Sequence, residues 1–213
     1  MAEHMTDIQN KLQDAAIQLC EMGKILYQRN WSPATSSNYS IRINDHLCAI
    51  TSSGKHKRQL ETTDIMLVDW QGQAHSTGKP SAETLLHTQI YQRDANQGAV
   101  LHTHSPTAVL LSQVWPTKQI TLQGWELQKA LQGETSHEDK IVIPIFANNQ
   151  NIAELAQQVE NYMQSEGQGH AYLIKGHGIY TWGRNMDECF RHLEALEHLL
   201  DYQFKLLTLG QQV

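Results

Sequence analysis

The stretch Ala99-Val-Leu-His-Thr-His-Ser-Pro106 constrains this chain more than any other. Three apolar residues run directly into two histidines spaced i, i+2, and a Ser-Pro pair follows. The apolar run predicts a buried strand, and Ser105-Pro106 predicts an N-cap with a first-turn proline opening a helix. Residues two apart on a strand point to the same face, so His102 and His104 can aim two imidazoles at one point. Two polar residues capping a strand end would be the simpler reading. A same-face pair at the end of a core strand favours chelation of a metal.

The rest of the chain alternates helical and strand periodicities around that strand. Ile8, Leu12, Ala15, Leu19, Met22 and Leu26 give a long amphipathic helix ending near Arg29. Ser40–Ile43 and Leu47–Ile50 read as a hairpin across Asn44-Asp45, and Met66–Trp70 as a further strand. A helix is expected from about Ala82 to Arg93, another over Pro106–Val114 and a third from Ile152 to about Ser165. Ile141–Ile145 and Ala171–Ile174 are apolar strands, and a short strand passes through Tyr180-Thr-Trp182. Asn185 with Glu188 predicts a capping box for a last long helix, whose apolar stripe includes Met186, Phe190, Leu193, Leu200, Phe204 and Leu207. The early hairpin rules out a purely parallel sheet, so one domain with a mixed sheet and helices on its faces is expected. The 213 residues suit one domain. Residues 1–4 of Met1-Ala-Glu-His-Met5 look like an appended remnant, which leaves 5–213 as the domain proper.

A third ligand should sit where another core strand ends, and His177 does. It follows Leu173-Ile174 and is flanked by Gly176 and Gly178, which let the backbone turn sharply and approach a ligand. Three histidines with an open position form the pattern of a catalytic zinc site, with iron, manganese or cobalt as alternatives. His87, within a helix, is a weaker fourth candidate, and His137 and His170 read as surface residues. Cys20, Cys48 and Cys189 share no close spacing and read as reduced, buried residues of a cytoplasmic protein. Two glutamates compete for proton transfer. Glu83 opens the helix after Gly-Lys-Pro-Ser81, and Glu126 lies in Gly124-Trp-Glu-Leu-Gln-Lys-Ala130. The residues alone leave them level.

Three small-polar loops lie upstream of the histidine strand and offer Ser37-Asn38, Ser53-Gly54 and Ser81. Hydroxyls, amides and free backbone N–H groups bind phosphate without any net positive charge. Any one of these loops could be merely a turn; the three together favour a phosphorylated substrate. The formal charge of −6, with no block of like charge, disfavours a nucleic-acid or anionic membrane surface, and no apolar run reaches membrane-spanning length.

These residues resemble the class II aldolase/adducin family over nearly the whole chain. The likeness runs from Ser-Ser-Asn-Tyr-Ser through Ser-Ser-Gly, Gly-Lys-Pro-Ser-Ala-Glu and His-Thr-His to Gly-His-Gly. It implies a single-domain three-layer α/β/α fold with a mixed, largely antiparallel sheet, assembled as a homotetramer with sites near subunit boundaries. It further implies one zinc ion per subunit on His102, His104 and His177, and a substrate phosphate held by Asn38, Ser53, Gly54 and Ser81. Within the family, Leu-His-Thr-His-Ser-Pro-Thr-Ala, Glu126 with Lys129, and Gly-His-Gly-Ile-Tyr-Thr-Trp-Gly183 look most like the enzymes that dehydrate a phosphorylated ketose. In those the acid/base glutamate matches Glu126; in the sugar-phosphate aldolases it matches Glu83. Aldol cleavage or pentulose-phosphate 4-epimerisation is therefore the runner-up chemistry. A non-enzymatic adducin-like module is a more distant alternative.

Overall fold

The structure, a computed structural model, describes residues 2–211, with side chains from Thr6. Helix α1 (Ala2–Gln28) follows its apolar spacing, with Ala15, Leu19, Met22 and Leu26 buried, and it runs through the expected junction at Met5. β1 (Asn38–Arg42) and β2 (Leu47–Thr51) form the expected hairpin, with Ser40 opposite Ile50. Then come β3 (Ile65–Asp69), α2 (Thr84–Arg93), β4 (Ala99–Thr103), α3 (Pro106–Val114) and β5 (Gln119–Leu122). The chain closes with β6 (Ile141–Phe146), α4 (Ile152–Glu166), β7 (Ala171–Ile174), β8 (Gly178–Gly183) and α5 (Met186–Thr208).

The eight strands form one sheet in the order β3-β2-β1-β4-β8-β7-β6-β5. Every pairing is antiparallel except β6 with β7. Alternation along β4 divides the core. Leu101 packs with Leu19, Leu193 and Leu196 on the side of α1, α3 and α5, whereas Val100 packs with Leu86, Ile90 and Leu155 on the side of α2 and α4. The result is the three-layer α/β/α architecture, with β4 near its centre.

Local chemistry sets the helix ends. Ser105 Oγ accepts from Ala108 N at 3.1 Å, with Pro106 in the first turn, as the sequence predicts. The capping box at Asn185 forms only by half. Asn185 Oδ1 accepts from Glu188 N, but the Glu188 carboxylate turns to Arg184, accepting from its backbone N and its guanidinium. A neighbouring cation outcompetes the cap's own N–H for that carboxylate. Strand β5 is absent from the sequence reading. Its buried Ile120 and Leu122 alternate with exposed Gln119 over too short a run to show a period. All three cysteines are buried and free.

Behind the histidine strand, α5 carries Glu197, which is 4% exposed. Its carboxyl accepts from Ser105 Oγ at 2.6 Å and from Thr103 Oγ1 at 3.4 Å. Burial raises this carboxyl to about 7, against the partial opposition of those two hydrogen bonds. A folded-state value above the unfolded one means that the group's stabilising contribution is complete below the ordinary carboxyl range and is lost as pH rises through about 7. The loss amounts to about 3 kcal/mol at most, at roughly 1.4 kcal/mol per unit. Glu197→Gln, which cannot ionise, should therefore raise the unfolding midpoint above that of the unmodified chain at pH 8, with most of the gain gone at pH 5. Denaturant melts at the two pH values test this, and a Gln variant less stable at pH 8 would contradict it.

Candidate metal centre

Strand register builds this site. β4 pairs with β1 on one side and β8 on the other, so His102 stands directly between Asn38 and Tyr180. These three side chains lie on the α2 face with Val100. His104 falls just past the end of β4, where its backbone N donates to Trp31 O at 2.8 Å. Because β8 runs antiparallel to β4, its first residues lie beside the last of β4, with Thr103 opposite Ile179. The Lys175–His177 turn therefore delivers the third imidazole to the same end. Both flanking glycines are needed there. Gly176 has φ +65°, and a Cβ on Gly178 would stand 2.0 Å from Thr103 O and 3.2 Å from His102 Cε1.

The three rings converge. One nitrogen from each of His102, His104 and His177 lies within 4.8 Å of the other two. His102 and His104 face each other Nε2 to Nε2 at 2.8 Å, and the Nδ1 of His102 donates to Ile179 O at 2.9 Å. That donation fixes the tautomer and leaves the His102 Nε2 lone pair turned to the cluster centre. Burial pushes the His102 imidazole well below its ordinary value. Burial, helped by the neighbouring His177, takes His104 down to about 4. Two facing imidazoles that are unprotonated at neutral pH, with a third beside them whose Nδ1 is buried and makes no hydrogen bond, suit a divalent cation. Such an ion would be held by His102, His104 and His177.

A carboxylate closes the cluster. Glu83 Oε1 lies 2.9 Å from His177 Nε2, and Oε2 lies 3.4 Å from His102 Nε2. Oε2 also accepts from Asn38 Nδ2 at 2.5 Å and from the Tyr180 hydroxyl at 3.0 Å. Burial acts to raise this carboxyl, but the His102 ring and the hydrogen bonds from His177 and Asn38 outweigh it and hold the group far below the carboxylate range. Tyr180 stacks on His102, with ring centroids 4.0 Å apart. His87 is not a fourth ligand: its Nδ1 is bonded to Ser40 Oγ at 2.8 Å and its Nε2 to Asn38 Oδ1. It aims Asn38 at Glu83 instead.

Beside the cluster lies a cavity of about 190 Å³, bounded by all three small-polar loops. Asn38, Ser53, Gly54, Ser81, Glu83 and His104 line it together. The structure does not bring Glu126 there. It sits on a short 3₁₀ turn, Glu126–Ala130, with its side chain 76% exposed, 2.7 Å from Lys129 Nζ and 4.0 Å from His137 Nδ1. His170 is less superficial than its surroundings in the sequence imply, being half-buried and 2.8 Å from Glu134. Tyr180 and the buried Lys57, which also lines the cavity, escape the sequence reading. Only the register could have revealed Tyr180, and only burial marks Lys57.

The profile of the Class II Aldolase and Adducin N-terminal domain matches residues 17–204. The methylthioribulose-1-phosphate dehydratase of Alcanivorax borkumensis is 56% identical over 187 residues, covering 88% of this chain and 89% of that protein. The protein of the same name from Marinobacter nauticus is 50% identical over 195 residues, covering 91% and 94%. That from Pseudomonas aeruginosa is 47% identical over 195 residues, covering 91% and 95%. Among solved structures, an L-fuculose 1-phosphate aldolase superposes with a TM-score of 0.77 at 23% identity, covering 94% of this chain and 89% of that one. The L-fuculose-1-phosphate aldolase of Thermus thermophilus gives 0.72 at 24% identity, covering 95% and 99%. These superpositions establish the class II aldolase fold.

The close approach at Gly178 generates a test. Alanine there collides with backbone, which cannot rotate away, so β8 must withdraw from β4 at the histidines. Gly178→Ala should cost about 1–3 kcal/mol in stability and lower divalent-metal affinity about tenfold or more, the scale on which support of metal ligands acts. Unfolding and metal titration on the purified variant measure both. Unchanged metal affinity would separate the strand contact from the cluster.

Proposed function

This chain belongs to the class II aldolase and adducin N-terminal domain family, and from that premise we propose that it is a lyase of methionine salvage. The reaction is dehydration of 5-methylthio-D-ribulose 1-phosphate to 5-methylthio-2,3-dioxopentyl phosphate and water. The observation that carries this reading is the likeness, over about nine-tenths of the chain, to dehydratases of that name. The three histidines those motifs require are also together.

The reaction removes the C3 hydrogen and the C4 hydroxyl. The hydrogen goes to a base, the hydroxyl departs with a proton as water, and the C3 enol left behind takes a proton at C4 to become the 2,3-dione. Held by His102, His104 and His177, a divalent metal would supply Lewis acidity to polarise the C2 ketone and acidify the C3 proton. Zinc, one ion per subunit, is the metal proposed, since three imidazoles with no thiolate suit it. Asn38, Ser53, Gly54 and Ser81 hold the phosphate and so orient C3 and C4 at the histidines. Glu126 is proposed as the group that moves protons, on its match to the dehydratases alone, since within one subunit it lies outside the cavity. Glu83 has the complementary role. Its oxygens contact His177 and His102 and accept from Asn38 and Tyr180, so it fixes these side chains about the reacting carbons. A homotetramer in the cytoplasm, with sites near subunit boundaries, belongs to the same proposal. Among the described residues no helix is long and apolar enough to cross a membrane.

The contact of Glu83 with the histidines favours one second reading, aldol cleavage, because the aldolases' acid/base matches that residue. One experiment separates the two: zinc-loaded protein is given the phosphoketose and the products are followed by NMR, for the unmodified chain, Glu126→Gln and Glu83→Gln. A single dioxo product is expected, with Glu126→Gln about 10²–10⁴-fold slower while keeping its metal and fold. Glu83→Gln should be hit less in rate at saturating zinc. Two smaller carbon fragments would overturn the dehydratase reading. A dead Glu83→Gln beside an active Glu126→Gln would reassign proton transfer to Glu83.

A further inference from the structure

Among the described residues, Lys57 is a buried cation that makes no direct ion pair. It is 1% exposed, while its neighbours Lys55 and Arg58 face solvent. Its Nζ donates to Lys55 O at 2.8 Å and to Thr35 O at 3.3 Å, and among the described residues it makes no ion pair. An ammonium has three donors, so one remains uncommitted. A buried charge without a direct ion pair carries a heavy desolvation cost. Burial accordingly pulls Lys57 down to about 8 despite the opposing charges of Glu83 and Asp64, and it is still a cation at neutral pH. Packing keeps it there: α1 lies so close over this loop that a Cβ on Gly23 would stand 2.4 Å from Lys57 O.

The same small cavity holds a second buried donor. Ser37 has φ +72°, a left-handed conformation disfavoured for a residue with a Cβ, and its buried Oγ lies beside the Tyr39 hydroxyl, which is itself bonded to Ser32 Oγ. A charged donor and a neutral one, both buried and both lining one 190 Å³ space, call for an anion between them.

We infer that Lys57 supplies the counter-charge for a phosphate dianion in this cavity, with Ser37 Oγ donating beside it. This rests on the reading of the cavity as the substrate's phosphate site, and it adds what the small-polar loops lack. Neutral hydroxyls and amides can fit a phosphate, but the lysine makes the site select charge. It therefore discriminates phosphorylated ketoses from their free sugars.

Inorganic phosphate is the probe, titrated calorimetrically into the zinc-loaded full chain for the unmodified protein, Ser53→Ala and Lys57→Met. Methionine keeps the unbranched stem without the charge. Lys57→Met should weaken phosphate binding about 10- to 100-fold, the range for hydrogen bonds to a charged group. KM for the phosphoketose should rise in step, while kcat changes much less. Phosphate binding weakened in Ser53→Ala but unaltered in Lys57→Met would overturn the role of Lys57 and leave the phosphate cavity standing. No phosphate binding by the unmodified chain would overturn both. If Lys57→Met does not fold, the 13Cε resonance of Lys57 in the unmodified protein, assigned by its loss in Lys57→Arg, gives the same answer. Phosphate must shift it, and an unmoved signal contradicts the proposal.

Discussion

The antiparallel pairing of β4 with β8 is the contact on which the rest of this molecule depends. That ladder sets His102 against Tyr180, brings the His177 turn to the end of β4, and leaves room at Gly178 for nothing but hydrogen. A slip of one residue would turn His102 into the core beneath α1, α3 and α5 and expose Leu101 to the site, because side chains on a strand alternate faces. The hydrophobic pattern of β4 thus enforces the chemistry: Leu101 has to be buried on one face, and the histidine follows on the other. The β1–β4 ladder completes the row by placing Asn38 on the far side of His102.

Polar groups buried around that row are connected, not scattered. Tyr91 and His87 bond to Ser40, His87 bonds to Asn38, and Asn38 and Tyr180 donate to Glu83, which reaches the histidines. Burial takes His87 down to about 4, so the network passes through a neutral ring and adds no charge to the site. Satisfied networks of this kind hold side chains to one rotamer and make each member costly to remove. Asn38 joins the histidine cluster to the small-polar loops, since it also reaches Ser81 Oγ at 3.4 Å. The molecule separates its charges across that joint, with the Glu83 carboxylate on one side and the Lys57 ammonium on the other.

Much of this was legible in the sequence because its signals are local. The His-Thr-His spacing, the Ser-Pro cap and the glycines around His177 each encode geometry within a few residues, and the three small-polar loops were recognisable as a set. What stayed hidden depends on contacts between distant segments. Tyr180 sits in an ordinary strand pattern and gains meaning only from its place opposite His102. Lys57 lies in a run of charged residues, and its burial comes from α1 packing over it from far upstream. The two glutamates were level on residue type and local context alone. Tertiary structure separates them, burying Glu83 among the histidines and leaving Glu126 in solvent beside Lys129.

Three imidazoles assembled by strand register are proposed to hold a zinc ion at an open site. X-ray absorption at the zinc edge of the loaded protein tests it most directly. A first shell of nitrogen and oxygen only is expected, at about 2.0–2.1 Å, with imidazole multiple scattering from three rings. A sulfur shell near about 2.3 Å, or a shell of oxygens without imidazole scattering, would contradict it.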